Sequence, residues 1–428
     1  MAKTVIFHVD VNSAFLSWEA VYRLQHLGAT TDLRKIPSAI GGDMKKRHGI
    51  ILAKSLPAKK YGICTGESIP EALKKYPDLY LTPPNYNLYE RCSAAFLKIL
   101  EMYTPNVEQY SIDEAYMDMT GTEALWGSPI EAADQIRKHV YEELGFTVNI
   151  GISENKILAK MASDFQKPDR THTLFSEEIP EKMWPLPVRE LFFVGRSTER
   201  HLSAMGISTI GELANTPVEY LRMRLKSHGE TVWNFANGRD FSIVEAQPIP
   251  NKGYGNSTTI AFDVTDEKVA KLVLLALCET VASRLRQNHV KAQVVSINIK
   301  TNEFQKNSHQ CLLLSPTNIT NEIHKYCCAL FDQLWDGSPI RHLGVHTSRI
   351  VDESVPRQIL LFDTEDYEKL SKMDRAVDEI RGRYGIDSVK RAVFECNKSD
   401  SGIKAIDHMS GGISREKRSV DYSQLDIQ

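Results

Sequence analysis

Acidic residues lie within two short apolar segments of the sequence. Residues 5–12 read VIFHVDVN and carry Asp10, and residues 110–118 read YSIDEAYMD and carry Asp113 and Glu114. The β-branched and aromatic residues around these acids predict two buried strands. A carboxylate at the end of such a strand is desolvated unless a partner neutralises it. If the strands are neighbours, the acids converge, and a divalent metal ion is the natural way to hold like charges together.

Such a metal site suits in-line phosphoryl transfer. Asp10 and Asp113 would bridge two Mg²⁺ ions roughly 3.5–4 Å apart, and Glu114 would complete one ion's shell or approach the attacking hydroxyl. Mg²⁺ keeps waters and substrate phosphates, so two or three protein carboxylates suffice. Asp118 shares the strand parity of Glu114 but is expected to be structural. The alternative, ordinary strand-end residues that face water, stays open at this point.

A lysine follows the helix that these strands lead into. Residues 151–160 read GISENKILAK and predict a strand-to-helix passage, and Lys167 and Pro168 come after that helix. A lysine at a helix end is usually a solvated charge that suits the helix dipole. Close to the acidic edge of the sheet, Lys167 could instead neutralise a triphosphate. The residues alone leave both interpretations open.

The elements that must position these residues alternate through the first 165 positions. Pro37 and the pair Gly41-Gly42 interrupt the alternation, so residues 20–76 are predicted to be an inserted unit. The whole favours an α+β fold with helices on one side of a sheet. Strands are predicted at 4–10, 39–40, 50–53, 79–81, 107–111, 114–118 and 147–153, and helices at 13–26, 68–75, 87–103, 129–143 and 155–165.

The second half of the chain has a different pattern. Residues 180–240 predict short helices between Gly turns, and residues 241–256, rich in Pro, Gly, Asn and Ser, predict a linker. From Lys398 the sequence is rich in Ser, Gly and charged residues, and no element is predicted there. Strands are predicted near 257–263, 292–300, 310–314 and 341–350, and helices at 266–288, 318–335 and about 365–383.

Composition bounds the class of protein. A chain of 428 residues with 42% hydrophobic and 25% charged residues is typical of a globular protein of two to four domains. No apolar run approaches the roughly 18 residues that cross a membrane, so no membrane association is expected. The net charge of −3 argues against a nonspecific coat for nucleic acid but allows a local basic groove. The seven cysteines lack zinc-ligand spacing, and reduced thiols fit a cytoplasmic location.

Two further segments have several interpretations. Residues 191–196 (LFFVGR) and 202–213 resemble paired helix-hairpin-helix elements, whose Gly turns let backbone N–H groups approach a DNA phosphate. An ordinary helical linker domain is the alternative. Residues 41–44 (GGDM) superficially resemble the acidic turn of diguanylate cyclases, but an ordinary turn is expected because the neighbouring strand pattern is missing.

Together these residues resemble the Y-family DNA polymerases. Asp10 with Phe15, the SIDEA sequence at 111–115, the stretch from Gly151 to Pro168 and the hairpin segment occur in the family's order over residues 3–363. The resemblance implies a right-handed polymerase with a ferredoxin-like palm, small fingers, a helical thumb and an α/β little finger. The implied domains are palm 1–19 and 77–165, fingers 20–76, thumb 166–240, linker 241–256, little finger 257–350 and C-terminal tail 351–428.

The family's functional positions carry over residue by residue. The resemblance implies two Mg²⁺ ions held by Asp10, Asp113, Glu114 and the Val11 backbone carbonyl. Phe15 would be the steric gate, because an aromatic ring against the sugar leaves no room for a 2′-hydroxyl. The remaining implied contacts are Ser13, Ala14, Lys59 and Lys167 for the dNTP, and Val194, Gly195 and Arg196 for primer-template DNA.

The chain departs from the family's pattern in two places. Leu56 stands where the family usually has Tyr, and Lys59 stands where it usually has Arg. A phenol donor is lost, and a bidentate fork becomes a point charge. In the hairpin, Phe192-Phe193 precedes Val194-Gly195 where Pro-Gly is commoner. We therefore expect weaker dNTP binding than is typical of the family, and altered phosphate contacts at the hairpin.

The segment 358–363 (QILLFD) resembles the peptide by which these polymerases dock on the β subunit of the sliding clamp. An extended peptide with Leu and Phe anchors suits a hydrophobic groove. The anchoring residues would be Gln358, Leu360, Leu361 and Phe362. A short strand that packs its own apolar residues is the alternative. The polymerase is expected to act as a monomer.

The resemblance implies template-directed addition of dNTPs to a primer 3′ end, in error-prone translesion synthesis without proofreading. The primer 3′-hydroxyl would attack the α-phosphate, with pyrophosphate as the leaving group. One rival is a catalytically weak, UmuC-like scaffold that bridges DNA and clamp. The other is a nucleotidyl cyclase, which has a palm-like sheet of its own.

Overall fold

The structure is a computed structural model that describes residues 3–42, 49–247, 250–358 and 366–396. Asp43 and Met44 of the Gly-Gly-Asp turn therefore lie outside the described residues. The same holds for the clamp peptide beyond Gln358 and for the end of the chain from Lys398.

The described elements follow the predicted alternation. The strands are β1 (Ile6–Val11), β2 (Ser38–Gly41), β3 (Ile51–Lys54), β4 (Tyr80–Thr82), β5 (Val107–Gln109), β6 (Glu114–Asp118), β7 (Val148–Ser153), β8 (Thr171–Thr173), β9 (Gly253–Val264), β10 (Val290–Thr301), β11 (Lys306–Thr317) and β12 (Ile340–Asp352). The helices are α1 (Ala14–His26), α2 (Leu56–Lys60), α3 (Ile69–Lys75), α4 (Tyr86–Glu101), α5 (Glu123–Trp126), α6 (Pro129–Leu144), α7 (Lys156–Asp164), α8 (Ile179–Lys182), α9 (Arg196–Ala204), α10 (Ile210–Asn215), α11 (Val218–Leu225), α12 (Ser227–Ala236), α13 (Glu267–Gln287), α14 (Thr320–Leu334), α15 (Tyr367–Tyr384) and α16 (Ala392–Cys396).

The palm is a sheet with the strand order β5-β6-β1-β7-β8. Strand β1 pairs antiparallel with both β6 and β7 and is buried along its whole length. Because side chains alternate across a strand, Phe7, Val9 and Val11 pack with α4 and α6, while Ile6 faces α7 on the other side. The prediction of helices on one side only is therefore wrong, since α7 covers the opposite face. Asp10 has the parity of Ile6 and so lies on the α7 face.

The fingers are a small sheet, β3-β2-β4, with its own core of Ala39, Ile51, Ala58 and Ile69. Helix α2 begins at Leu56 because the Ser55 hydroxyl accepts the Ala58 N–H at 3.1 Å and Pro57 stands in the first turn. The structure does not keep the predicted fingers boundaries at residues 20 and 76. Helix α1 runs unbroken across the predicted break after residue 19, and β4 pairs parallel with β2, which extends the fingers past residue 76.

The thumb is a cluster of short helices, α8 to α12, around Leu202, Ile210, Leu213, Leu221 and Val232. The thumb also begins later than the predicted residue 166. Strand β8 pairs parallel with β7, so residues 171–173 belong to the palm sheet.

The little finger has the strand order β11-β10-β12-β9, with α13 and α14 packed on the core face. Strand β9 begins at Gly253, so the predicted linker is shorter than 241–256. Helix α15 packs on this domain through Arg286, which bonds Asp374 at 3.0 Å and Asp378 at 2.6 Å. Phe394 of α16 is buried in the same core. The segment after residue 366 is therefore part of the little finger rather than a separate tail.

Candidate active site

The backbone brings the predicted acids to one edge of the palm sheet. Asp10 and Glu114 are paired opposite each other on β1 and β6. One residue further, the Val11 N–H donates to the Asp113 carbonyl at 3.0 Å. The sequence prediction that the two acid-bearing strands are neighbours is confirmed.

Two lysines neutralise this acidic edge. The Lys160 ammonium lies 2.7 Å from Glu114 Oε1, 3.5 Å from Asp10 Oδ2 and 3.3 Å from Asp164 Oδ2. The Lys167 ammonium lies 3.0 Å from Asp10 Oδ1 and 2.8 Å from Asp164 Oδ1. Both lysines are therefore placed where buried carboxylates require positive charge.

The pKa values of the Asp10 and Glu114 carboxyls shift in opposite directions. Burial, with the charge of the neighbouring Glu114, raises the pKa of Asp10 to about 7 despite the two lysines. Burial would also raise the pKa of Glu114, but the neighbouring His8 and Asp10 side chains and the charge of Lys160 lower it instead. Glu114 is therefore the more acidic member of the pair.

His8 is buried behind this pair. Its Nδ1 is 2.8 Å from the Ser163 hydroxyl, and its Nε2 is 3.7 Å from Glu114. Burial lowers the pKa of His8 to about 4, so the ring is neutral at physiological pH. A neutral imidazole fills the space beside Glu114 without adding charge.

The carboxylates offer the hard oxygen donors that a divalent cation takes. However, the Asp113 carboxylate accepts a hydrogen bond from the Ser111 hydroxyl at 2.7 Å, while Asp10 and Glu114 engage the lysines. Within the described residues, no group of three His, Cys, Asp or Glu side chains is gathered closely enough to hold a metal ion. The donor set fits such an ion by chemistry, but the lysines hold two of its members.

Asn149 fixes the loop that carries Lys167. It lies opposite Asp10 in the pairing of β1 with β7. Its amide donates to the carbonyls of Ser163 at 3.1 Å and Gln166 at 2.6 Å, and its oxygen accepts the Arg170 N–H. A buried side chain with these bonds holds the end of α7 against the sheet.

A cavity of about 510 Å³ opens from the acids towards the fingers. Its palm wall includes Asp10, Asp113, the Val11–Ser17 turn and Lys167, and its fingers wall includes Lys54, Leu56 and Lys59. Beside it lies a hollow of about 480 Å³ lined by Lys59, Lys167, Arg170 and the end of α7. The structure therefore brings Phe15, Ser13, Ala14, Lys59 and Lys167 around one space, as the resemblance implies.

Phe15 forms a rigid wall of this cavity. Its ring stacks on buried Tyr89 with centroids 4.5 Å apart and planes within 12°. Trp18 and Tyr86 support it at 6.0 and 5.9 Å. Aromatic neighbours on several sides fix the ring orientation, which is what a steric gate requires.

The fingers wall is more open. Leu56 is 49% exposed, and Lys59 is also exposed. Arg34, which sequence reasoning missed, lines the same cavity. It bonds Asp32 at 2.9 and 3.0 Å and the Gly145 carbonyl at 2.8 Å, and so ties the fingers to the palm.

The hairpin residues lie apart from this cavity, at the start of α9. Gly195 caps the helix, Arg196 is exposed, and the Val194 side chain is buried in the thumb core. Val194 can therefore meet a DNA phosphate only through its backbone. Phe193 has φ +73° and is 52% exposed.

Gln358 is the one predicted clamp-binding residue that the described part of the chain includes. The Ser315 hydroxyl of β11 accepts its N–H and donates to its carbonyl, both at 3.0 Å. Leu360, Leu361 and Phe362 lie outside the described residues. The peptide therefore starts beside the edge strand of the little finger.

The most informative residue that the sequence analysis missed is Lys160. It occupies a buried position among Leu158, Ala159 and Met161, where a lysine is unexpected. That anomaly was visible in the sequence. His8 and Asn149 gave no comparable sign, because polar residues inside a strand are often solvent-facing.

Comparison with known proteins shows the family of the chain. Family models match residues 9–164 (impB/mucB/samB family), 251–361 (its C-terminal domain) and 176–207 (IMS family HHH motif). A Y-family DNA polymerase chimera of known structure superposes with a TM-score of 0.69, at 21% identity, over 81% of this chain and 99% of that chain. The chain belongs to the Y-family DNA polymerases.

Within that family the chain is similar to several bacterial polymerases. It is 46% identical to DNA polymerase IV of Clostridium acetobutylicum over 391 residues, which cover 91% of this chain and 98% of the relative. It is 38% identical to DNA polymerase IV of Acetivibrio thermocellus over 408 residues, covering 94% and 100%. Membership of the family implies a DNA substrate and dependence on a divalent metal ion. No helix of the described residues is long and apolar enough to span a bilayer.

Proposed function

We propose that this protein is a template-directed DNA polymerase of translesion type that adds dNTPs to a primer 3′ end without proofreading. The observation that carries this proposal is one cavity that joins the Asp10 and Asp113 edge of the palm to Phe15, Lys59 and Lys167. Its palm wall offers carboxylates, the Phe15 ring and Lys167, and its fingers wall offers Lys59. These are the partners of a metal ion, a sugar and a triphosphate.

We infer two Mg²⁺ ions held by Asp10, Asp113, Glu114 and the Val11 carbonyl. When bound, they would supply Lewis-acid stabilisation of the attacking and leaving oxygens. The protein's own groups do the rest. Lys167 and Lys59 would receive the phosphate charge, and Asn149 would keep the Lys167 loop in place. Phe15, stacked on Tyr89, would exclude a 2′-hydroxyl.

Primer extension tests the function directly. The wild type should extend a primer with dNTPs and Mg²⁺, and the double variant Asp113→Asn, Glu114→Gln should not. Binding of primer-template without extension by the wild type would favour the scaffold. Release of pyrophosphate from GTP or ATP alone, without primer or template, would favour the cyclase.

We propose the β subunit of the sliding clamp as a partner, bound through residues 358–363. The support is the peptide sequence and its start at the little-finger edge, where Gln358 bonds Ser315. Because α15 returns to pack on Arg286, substitution is a better test than deletion. Leu361→Ala with Phe362→Ala should abolish clamp binding and leave unassisted extension unchanged. Clamp binding by that variant would refute the assignment. We place such an enzyme in the cytoplasm, where bacterial DNA is replicated. We propose that it acts as a monomer.

A further inference from the structure

Lys160 is a cation built into the acidic edge of the palm. Its side chain is 7% exposed, and its ammonium lies within 3.5 Å of Glu114, Asp164 and Asp10. Lys167, which touches two of the same acids, is 35% exposed at the cavity rim. A phosphate entering the cavity can reach Lys167, whereas Lys160 lies beneath the acids.

The helix that carries Lys160 cannot easily move away. Helix α7 approaches β7 so closely that a Cβ on Gly151 would lie 2.0 Å from the Ala159 carbonyl and 2.4 Å from the Ser163 nitrogen. Only glycine permits this contact. The neighbours Ile157, Leu158 and Met161 are buried in the adjoining core. The backbone of α7 is therefore held against the sheet, and the ion pairs of Lys160 keep its ammonium beside Glu114.

We propose that Lys160 is a positioning residue that weakens the affinity of the substrate-free site for divalent metal. This inference rests on the polymerase function proposed above. A fixed positive charge beside the acids lowers the net negative charge that a cation meets. The triphosphate of an incoming nucleotide would then restore negative charge, so metal binding depends on nucleotide arrival. Lys160 also keeps Glu114 in one orientation until then.

The test measures Mn²⁺ binding to the full chain without DNA or nucleotide, by electron paramagnetic resonance. Lys160→Met keeps the apolar stem and removes the charge, and we expect Mn²⁺ to bind about tenfold more tightly. The melting temperature without metal should fall, because buried acids lose their cation, while the rise on adding Mn²⁺ should be larger than in wild type.

Lys156→Met is the matched control. Lys156 lies one turn earlier on α7, is 12% exposed, and bonds Glu108 at 2.7 Å rather than the acidic edge. Its loss should lower the melting temperature but leave Mn²⁺ affinity unchanged within about twofold. A merely structural role for Lys160 would make the two variants behave alike.

Unchanged or weaker Mn²⁺ binding by folded Lys160→Met would overturn the inference. If that variant does not fold, Lys160→Gln decides, because it removes the same charge but keeps a polar end beside Glu114. Mn²⁺ should again bind about tenfold more tightly, and unchanged or weaker binding would overturn the inference. Primer extension by the wild type is scored separately, so failure of the polymerase function remains distinguishable.

Discussion

The two ends of the candidate active-site cavity are built very differently. At the palm end, Asp10 and Glu114 are fixed by paired strands, by Lys160 and Lys167, and by the buried His8 behind them. At the fingers end, Leu56 and Lys59 are exposed residues of a five-residue helix. The carboxylates that we propose for the chemistry are thus held in place by packed neighbours, while the fingers residues that we propose for nucleotide binding are not. This contrast fits an enzyme that keeps its reaction intact but accepts imperfect substrates.

Asp10→Asn should give the largest effect at the palm end. We expect kcat to fall about a thousandfold, because an oxygen ligand and its charge are lost, with little change in dNTP KM. The stability of the fold, in contrast, should not fall in this variant. Because burial raises the pKa of Asp10 from 3.8 to about 7, its ionisation costs stability as the pH rises through that interval, and the cost is complete at pH 8. At pH 8 the melting temperature of the metal-free variant should therefore not fall.

Asp118→Asn is the control for this variant. Asp118 also lies on the palm sheet, but its carboxylate accepts the Thr120 N–H at 3.0 Å and stays away from the cavity. Its kcat should remain close to that of wild type. A similar loss of kcat in both variants would show that the palm acids are not functionally distinct.

Phe15→Ala tests the wall between the two ends. Removing a ring stacked on Tyr89 opens space beside the sugar, and we expect ribonucleotide use relative to dNTP to rise roughly tenfold to a hundredfold. Single-nucleotide incorporation with each dNTP and its rNTP measures this ratio. Tyr86→Phe, which keeps the supporting ring, should leave the ratio unchanged. Unchanged sugar selectivity in Phe15→Ala would remove the steric-gate role.

Leu56→Tyr with Lys59→Arg tests the open end. These changes supply a phenol donor and a bidentate cation at the exposed wall, and the dNTP KM should fall roughly threefold to tenfold with kcat little changed. Leu56→Phe with Lys59→Arg separates the hydroxyl from the ring. An unchanged or raised KM in the first pair would mean that the fingers end is not the weak side of the cavity.

The palm end was also the more predictable from sequence. Apolar frames around Asp10 and Glu114 reveal both strands, because burial leaves a periodic pattern. The role of Lys160 depends on α7 crossing the sheet face that carries Asp10, a non-local contact that no local pattern encodes. The contacts of the predicted linker were missed for the same reason, because they too are non-local. Its first part lies on the palm, where the Glu245 N–H donates to Glu108 at 2.8 Å and Val244 packs beside Tyr116.

Phe193→Gly should give the smallest effect and tests the comparison beyond the cavity. Phe193 adopts φ +73°, a conformation that costs a non-glycine residue about 1–2 kcal/mol, and its exposed ring precedes the start of α9, where we expect a DNA phosphate to bind. Glycine relieves the strain and lets backbone N–H groups approach a phosphate, so primer-template Kd should fall about twofold. Phe193→Ala removes the ring contacts with Phe192 and Phe235 but keeps the strain. The Gly variant should therefore be the more stable of the two by about 1 kcal/mol in urea unfolding. Weaker DNA binding by Phe193→Gly would instead show that the Phe193 ring itself contacts DNA. The hairpin would then resemble the palm end, where the functional side chains are already in place.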